Sequence, residues 1–221
     1  MKSGSPEPKG QNPKSAPPAS APLLVLISAP SGGGKTTVCS QLLAGRPGLT
    51  RAITCTTRAP RPGEKNDVDY YFLDPSDFQR RVQAGEFIEH ATVFGHSYGL
   101  LRSELLDKLR RGRDVLLNVD VQGAATIGAQ AQREPELQGA LVTVFLTPPS
   151  LAVLAERLKK RAADAPAEIQ KRLGIARKEI AQWSQFDYLL ISTTIPEDLR
   201  RMLMIIEAEK MRVKRSVPPE F

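Results

Sequence analysis

The sequence predicts an α/β chain in which a parallel sheet is covered by helices on both faces. Three observations carry this. Short apolar runs recur at residues 23–27, 114–120, 140–146 and 188–191. Segments of helical periodicity lie between them, and strands alternating with helices build parallel sheets. The third observation is a glycine-rich turn, Ala29-Pro30-Ser31-Gly32-Gly33-Gly34-Lys35-Thr36-Thr37, set between the first apolar run and the first helix.

Strand, glycine-rich turn, Gly-Lys-Thr and helix in that order make a phosphate-binding P-loop. Glycines let backbone N–H groups converge on phosphate oxygens, and the helix N-terminus adds partial positive charge. Lys35 is placed to reach the outer phosphates of a nucleoside triphosphate, and Thr36 to offer its hydroxyl to Mg²⁺. The first position of the G-x-x-x-x-G-K-[ST] pattern is Ala29, whose methyl is tolerable only at negative φ. In the helix that follows, Val38 with Leu42 and Cys39 with Leu43 make one apolar face. Gly45-Arg46-Pro47-Gly48 stops it.

Residues 1–22 carry six prolines and few large apolar side chains, so a disordered tail is expected. Residues 51–55 read as one short strand. Residues 56–99 change texture: a loop at Thr57-Arg58-Ala59-Pro60-Arg61-Pro62-Gly63-Glu64, a strand at 68–73, a helix capped by Asp74-Pro75-Ser76, and a strand at 87–94. A small strand-rich insertion fits this stretch. Helices are expected at 102–111, 121–131, 150–161 and 167–184, the last two around a polar break at 162–166. A final helix at about 196–214 places Leu199, Met202, Leu203 and Ile206 on one face. Lys210, Arg212, Lys214 and Arg215 complement its C-terminal dipole.

A chain of 221 residues with 41% hydrophobic content suits one domain with inserted pieces. No apolar run reaches the roughly 18 residues that span a bilayer. The N-terminal segment lacks the apolar centre of a signal peptide, and two cysteines make no disulfide framework, so a reducing cytoplasm is expected. The formal charge of +7 suits either a nucleic-acid surface or an enzyme that holds several phosphates. Aromatic residues are only 5% of the chain and no lysine tract is interleaved with them, which favours phosphate ligands over a polynucleotide.

A second anion site is legible in the insertion. Arg58 and Arg61 stand three apart in a loop, with Tyr70 and Tyr98 further along; guanidinium and phenol groups suit a non-transferred phosphate. Glu89 and Asp120 are read at strand ends, where parallel sheets bind their ligands.

Together these residues resemble the guanylate kinase family from the P-loop to about residue 215. The marks are Ser31-Gly32-x-Gly34-Lys35, Thr56-Thr57-Arg58-x-Pro60-Arg61-x-Gly63-Glu64, Asp69-Tyr70-x-Phe72, Glu86-Phe87-Ile88-Glu89, Tyr98-Gly99, Val119-Asp120-x-Gln122-Gly123 and Pro148-Pro149-Ser150. The resemblance implies a P-loop NTPase three-layer fold with a parallel sheet core, an inserted GMP-binding subdomain and a mobile helical lid. By matched position the core is 23–53, 103–156 and 173–215, the GMP-binding subdomain 54–102 and the lid 157–172, with a C-terminal tail at 216–221.

The implied reaction is transfer of the γ-phosphoryl group of ATP to GMP or dGMP. The resemblance assigns catalysis to Lys35, Arg58, Arg157, Arg161 and Arg172, and the GMP phosphate to Arg58, Arg61, Tyr70 and Tyr98, with Glu64 also counted among the GMP-binding residues. It assigns guanine to Thr54, Glu89 and Asp120. Mg²⁺ is implied at Thr36, with neither nucleic acid nor membrane as a partner and a homodimer left open. Departures from the family pattern are Ala29, Leu100 for a small hydroxyl residue, Asn118 for an Asp, Ala162 for a Gly, and Ser192-Thr193-Thr194 for Asn-Asp-Asp. Two other readings compete. A phosphopeptide-binding scaffold module typically lacks a working P-loop, and Lys35 and Thr36 are present; a kinase for a ribosyl phosphate has no use for Glu89 and Asp120 as base readers.

Overall fold

A computed structural model describes residues 20–93, 95–161, 166–216 and 218, with the side chains of 160, 161, 166 and 167 outside that description. The elements run β1 (Leu24–Ser28), α1 (Lys35–Gly45), β2 (Leu49–Arg51), β3 (Cys55–Thr56), β4 (Tyr71–Phe72), α2 (Pro75–Gln83), β5 (Phe87–Val93), β6 (His96–Leu101) and α3 (Arg102–Arg110). They continue as β7 (Asp114–Asn118), α4 (Val121–Ala131), α5 (Pro135–Ala140), β8 (Leu141–Thr147), α6 (Leu151–Arg161), α7 (Pro166–Ile180), β9 (Tyr188–Ile191) and α8 (Ile195–Lys210).

The central sheet has the order β2-β7-β1-β8-β9, and every neighbouring pair is parallel. Alternation along β1 divides the interior in two. Val25 and Ile27 pack against Val38, Cys39 and Leu42 of α1 and Met202 and Ile206 of α8. Leu24 and Leu26 pack on the other face, against Leu105 and Leu109 of α3 and Ala124 and Ile127 of α4. All five residues of β1 are buried, as a strand covered on both faces must be.

The insertion builds a second sheet, β4-β3-β6-β5, with antiparallel pairing at β3–β6 and β5–β6. Its own small core holds Cys55, Phe78 and Phe87. The single strand expected over 51–55 is instead two, because the chain leaves one sheet for the other at residues 52–54. The Ala52 N–H still reaches Leu116 in the central sheet at 3.1 Å, and the Ile53 N–H donates to Glu104 Oε1 at 2.8 Å. The strand expected over 68–73 shortens to two residues, with Val68 60% exposed. β6 was not expected, since His96-Ser97-Tyr98-Gly99 lacks an apolar alternation. Gly99 is required there: a Cβ would lie 2.7 Å from the Phe87 ring. The short helix α5 was also not anticipated. Asp74 stands at the N-cap of α2, but its side chain makes no capping bond.

α6 and α7 form a hairpin with a separate core of Leu154, Leu158, Ile169 and Ala176. Leu203 of α8 is 38% exposed and leaves the expected apolar face to Leu199, Met202 and Ile206. Arg215 does more than follow the end of α8. It is 3% exposed and pairs with Glu209, 2% exposed, while donating to the carbonyls of Gly139 at 3.0 Å and Leu141 at 3.1 Å. Residues 1–19 of the expected tail lie outside the described residues. Residues 20–22 do not follow that expectation: Ser20 pairs with Ser216, and the Ala21 N–H donates to the Arg215 carbonyl at 2.8 Å.

Removing the cation of a buried pair leaves an uncompensated carboxylate. Arg215→Ala is therefore expected to cost about 3 kcal/mol of stability, measured by urea denaturation. A loss within error of zero means that Glu209 is satisfied by Tyr188 and Arg212 alone.

Candidate active site

The loop after β1 and the ends of β7, β8 and β9 meet at the carboxyl edge of the central sheet, where open α/β sheets bind ligands. Residues Ala29, Pro30, Ser31, Gly32, Gly33, Gly34, Lys35 and Thr36 line a recess of about 320 Å³ together with Asp120 and Glu179. Ala29 is buried, and Asp67 is the only non-glycine described residue with positive φ, so the methyl is accommodated as expected. Gly32 has a φ of 84°, and a Cβ there would lie 2.9 Å from Leu158 Cδ2 and 3.1 Å from Leu154 Cδ1. α6 thus rests directly on the P-loop backbone. That contact carries Arg157, on the same face of α6, to the loop, where its Nη1 lies 3.4 Å from the Gly33 carbonyl.

Lys35 Nζ donates to the Val119 carbonyl at 2.6 Å. Burial lowers its pKa, while the charges of Asp120 and Glu179 oppose that shift. Glu179, on α7, was not singled out from the sequence. The Ser31 N–H donates to its Oε2 at 3.4 Å, so a carboxylate oxygen stands at the loop built for phosphate oxygens. Burial raises its pKa, Asp120 adds to the rise, and Ser31 and Lys35 oppose it. The available signal was spacing: Glu179 follows Arg172 by two helical turns, on one face of a helix that begins within the expected lid.

A neighbouring recess of about 360 Å³ is lined by Thr36, Cys39, Arg51, Thr54, Tyr70 and Asn118 among others. Beside it Arg58 Nη2 donates to both oxygens of Glu64 at 2.9 Å. The Arg61 N–H donates to Glu64 at 2.7 Å and is the first cause of its lowered pKa, with Arg58 second among the groups that favour the charge. The Arg58 guanidinium lies 5.5 Å from the Tyr70 ring centroid, and the Tyr70 and Tyr98 rings meet edge-on at 6.3 Å. The loop cation is therefore held by one carboxylate and faced by aromatic rings before any anion arrives.

Glu89 lies inside β5 rather than at its end. Burial raises its pKa and the nearby Asp120 charge adds to the effect. Asp120 lies past the end of β7, as the N-cap of α4, where its Oδ1 accepts from the Gly123 N–H at 2.7 Å. The other oxygen is free of that duty. Asp120 and Glu179 thus face Lys35, and Glu89 faces Asp120. Arg172 is instead on α7 beside Glu168, 3.6 Å away. The Arg161 side chain and Ala162 lie outside the described residues. Leu100 is fully buried with Ile88 and Leu105, so the position expected to offer a hydroxyl supplies core packing. Asn118 ends β7, exposed, in the recess that also contains Thr36. The thiols of Cys39 and Cys55 are pushed by burial to about 11 and about 12 and are inert at neutral pH.

Residues 21–209 match the family model for guanylate kinase. The chain belongs to the guanylate kinase family. It is 40% identical over 189 residues to the guanylate kinase of Coxiella burnetii, covering 86% of this chain and 88% of that one. With the guanylate kinase of Ruegeria pomeroyi it shares 39% over 190 residues, covering 86% and 87%. The crystal structure of guanylate kinase from Anaplasma phagocytophilum superposes with a TM-score of 0.68 at 34% identity, covering 90% of this chain and 92% of that chain. Membership in the guanylate kinase family makes the chain a kinase acting on GMP with ATP as donor.

Replacing Lys35 by Met removes a partly buried charge but keeps most of the side-chain volume. Turnover is expected to fall by roughly a hundredfold or more, with the protein still folded but no more heat-stable than the wild type, since Asp120 and Glu179 lose their shared cation. Steady-state kinetics with calorimetry measures both, and wild-type turnover in the variant overturns the assignment of Lys35.

Proposed function

We propose that this chain carries out its family's reaction, transfer of the γ-phosphoryl group of ATP to GMP or dGMP, with the work divided between two halves of one cleft. The P-loop, Ala29 to Thr37, holds the triphosphate, and Lys35 lies against its outer phosphates. Residues 157–172 act as the lid, bringing Arg157, Arg161 and Arg172 over the transferring group. Residues 54–102 hold the acceptor. Arg58, Arg61, Tyr70 and Tyr98 bind its phosphate and Glu64 steadies Arg58. Thr54, Glu89 and Asp120 read the base.

The observation that carries this reading is that Thr36 lines both recesses. The space at the P-loop and the space at Thr54 and Tyr70 adjoin at one residue. Two anions bound from either side meet there, as in-line transfer requires. The protein's task is then electrostatic: Lys35 and the arginines neutralise charge on two phosphates that repel. A monophosphate oxygen needs no general base at neutral pH.

Among the described residues, no group of three or more His, Cys, Asp or Glu could hold a metal ion. That fits Mg²⁺ carried in on the phosphates of ATP, with the Thr36 hydroxyl as its protein ligand and Asn118 near it. The ion supplies charge neutralisation when bound. No described helix is long and apolar enough to cross a membrane. With two buried free cysteines, a cytoplasmic setting is proposed.

Guanine offers two donors, N1–H and the 2-amino group, where adenine offers an acceptor, so a facing carboxylate discriminates between them. GMP is expected to be preferred over AMP by roughly a thousandfold or more. Glu89→Gln is expected to narrow that ratio, mainly through loss of kcat/KM for GMP. A ratio unchanged by the substitution means that Glu89 does not read the base.

The raised pKa of Glu89 also gives the sign of a pH effect. A protonated carboxyl accepts poorly from guanine, so kcat/KM for GMP is expected to fall on the acid side at a pH above the ordinary carboxylate value of about 4.3. Asp120→Asn removes the charge that contributes to the rise and is expected to move this limb to lower pH. A pH profile of each protein decides it, and a limb that stays in place overturns the coupling.

A further inference from the structure

Ser192, immediately after β9, is 2% exposed. Its N–H donates to the Thr147 carbonyl at 2.7 Å, which continues the β8–β9 pairing by one residue toward the P-loop edge of the sheet. Its hydroxyl donates to Asp198 Oδ2 at 2.7 Å. Asp198, in the first turn of α8 and 1% exposed, takes the Thr193 N–H on its other oxygen at 3.0 Å. The serine and its carboxylate partner are thereby fixed from behind.

In front of it stands Arg157. Its Nη1 and Nη2 lie 3.4 and 3.3 Å from Ser192 Oγ, and the same Nη1 approaches the Gly33 carbonyl of the P-loop. The direction of this chain of bonds is dictated by chemistry. A carboxylate only accepts and a guanidinium only donates, so the one hydroxyl proton must point to Asp198 and the oxygen must face Arg157. A buried negative charge on one side of the hydroxyl makes its oxygen a better acceptor on the other.

We infer that Ser192 and Asp198 are positioning residues for Arg157, holding its guanidinium at the rim of the P-loop before the triphosphate binds. The inference rests on the reading that Arg157 acts on the transferring phosphoryl group. A long arginine on the lid arm has many rotamers in solution, and a site that fixes it in advance spares the transition state that ordering. Asp198 also serves the start of α8 through Thr193, so stability alone does not separate the two roles. Catalysis measured in paired backgrounds does.

Ser192→Ala, Ser192→Thr and Asp198→Asn are to be compared by steady-state kinetics, Ser192→Ala also in an Arg157→Ala background. In Asp198→Asn the amide N–H₂ faces the hydroxyl and turns its proton toward the guanidinium, which opposes the bond. Ser192→Ala and Asp198→Asn are expected to lower kcat about tenfold, the scale of one hydrogen bond to a charged group, with the KM for GMP unchanged. Ser192→Thr, which keeps the hydroxyl, is expected to restore kcat. In the Arg157→Ala background Ser192→Ala is expected to cost nothing further. Undiminished kcat in Ser192→Ala, or a loss that persists without Arg157, overturns the inference. Arg157→Ala alone tests the reading beneath it: wild-type kcat there overturns the role of the arginine, whereas impaired Arg157→Ala with intact Ser192→Ala overturns only the positioning role.

Discussion

The ammonium group of Lys35 is partly buried, and withdrawing a charge from water is unfavourable unless it is paired and hydrogen-bonded. The cleft is arranged around meeting that condition. The Val119 carbonyl takes one of its protons, and Val119 is placed by the β1–β7 pairing, which its own N–H extends to the Ile27 carbonyl at 3.3 Å. Asp120, one residue on, and Glu179, from the other side of the loop, supply opposite charge. Without the ammonium, these carboxylates would face each other across a recess that must receive a polyanion. The central strand order, the turn after β7 and the start of α4 all bear on where this one nitrogen sits.

A second dependence is steric. α6 lies on the P-loop because Gly32 presents no side chain to Leu154 and Leu158. The α6–α7 hairpin has its own small core, and its hold on the P-loop runs through that contact, through Arg157 and through the Ser31 N–H at Glu179. Most of the other described cations are already paired within the fold, Arg81 with Asp77 and Glu86 and Arg110 with Glu136 for example. The formal charge of +7 therefore overstates the positive field offered to a ligand, and the cations at the cleft count for more than the total.

What was legible in the sequence was local. The P-loop, the alternation around it and the paired arginines follow from residue types at short spacing, and the structure has the loop, its helix and the parallel core. Features governed by distant packing were not legible. Residues 51–55 look like one strand because nothing in their pattern marks the passage between two sheets; that passage is fixed by Glu104, 51 residues away in the chain, at the Ile53 N–H. β6 was hidden by a glycine that is needed only because Phe87 and Phe78 come to lie against it. Glu179 was hidden because a carboxylate on a charged helix is ordinary until the helix is seen to end at the phosphate loop. Arg215 carried the same ambiguity: basic residues after a helix suit its dipole, and only the fold makes one of them the partner of a buried glutamate.

Ser20 and Ser216 pair with each other at the amino edge of the central sheet, and Lys210 Nζ reaches Ser20 Oγ at 3.4 Å. The cleft lies at the opposite, carboxyl edge. The described chain is in this sense a ring with its seam at the back. Ends that adjoin are the usual setting for circular permutation. Closing the ring at the seam and reopening it at an exposed turn such as residues 111–113 leaves every strand of both sheets and the whole ligand edge uninterrupted. The order in which the polypeptide visits its elements is separable, in this fold, from the constellation those elements present.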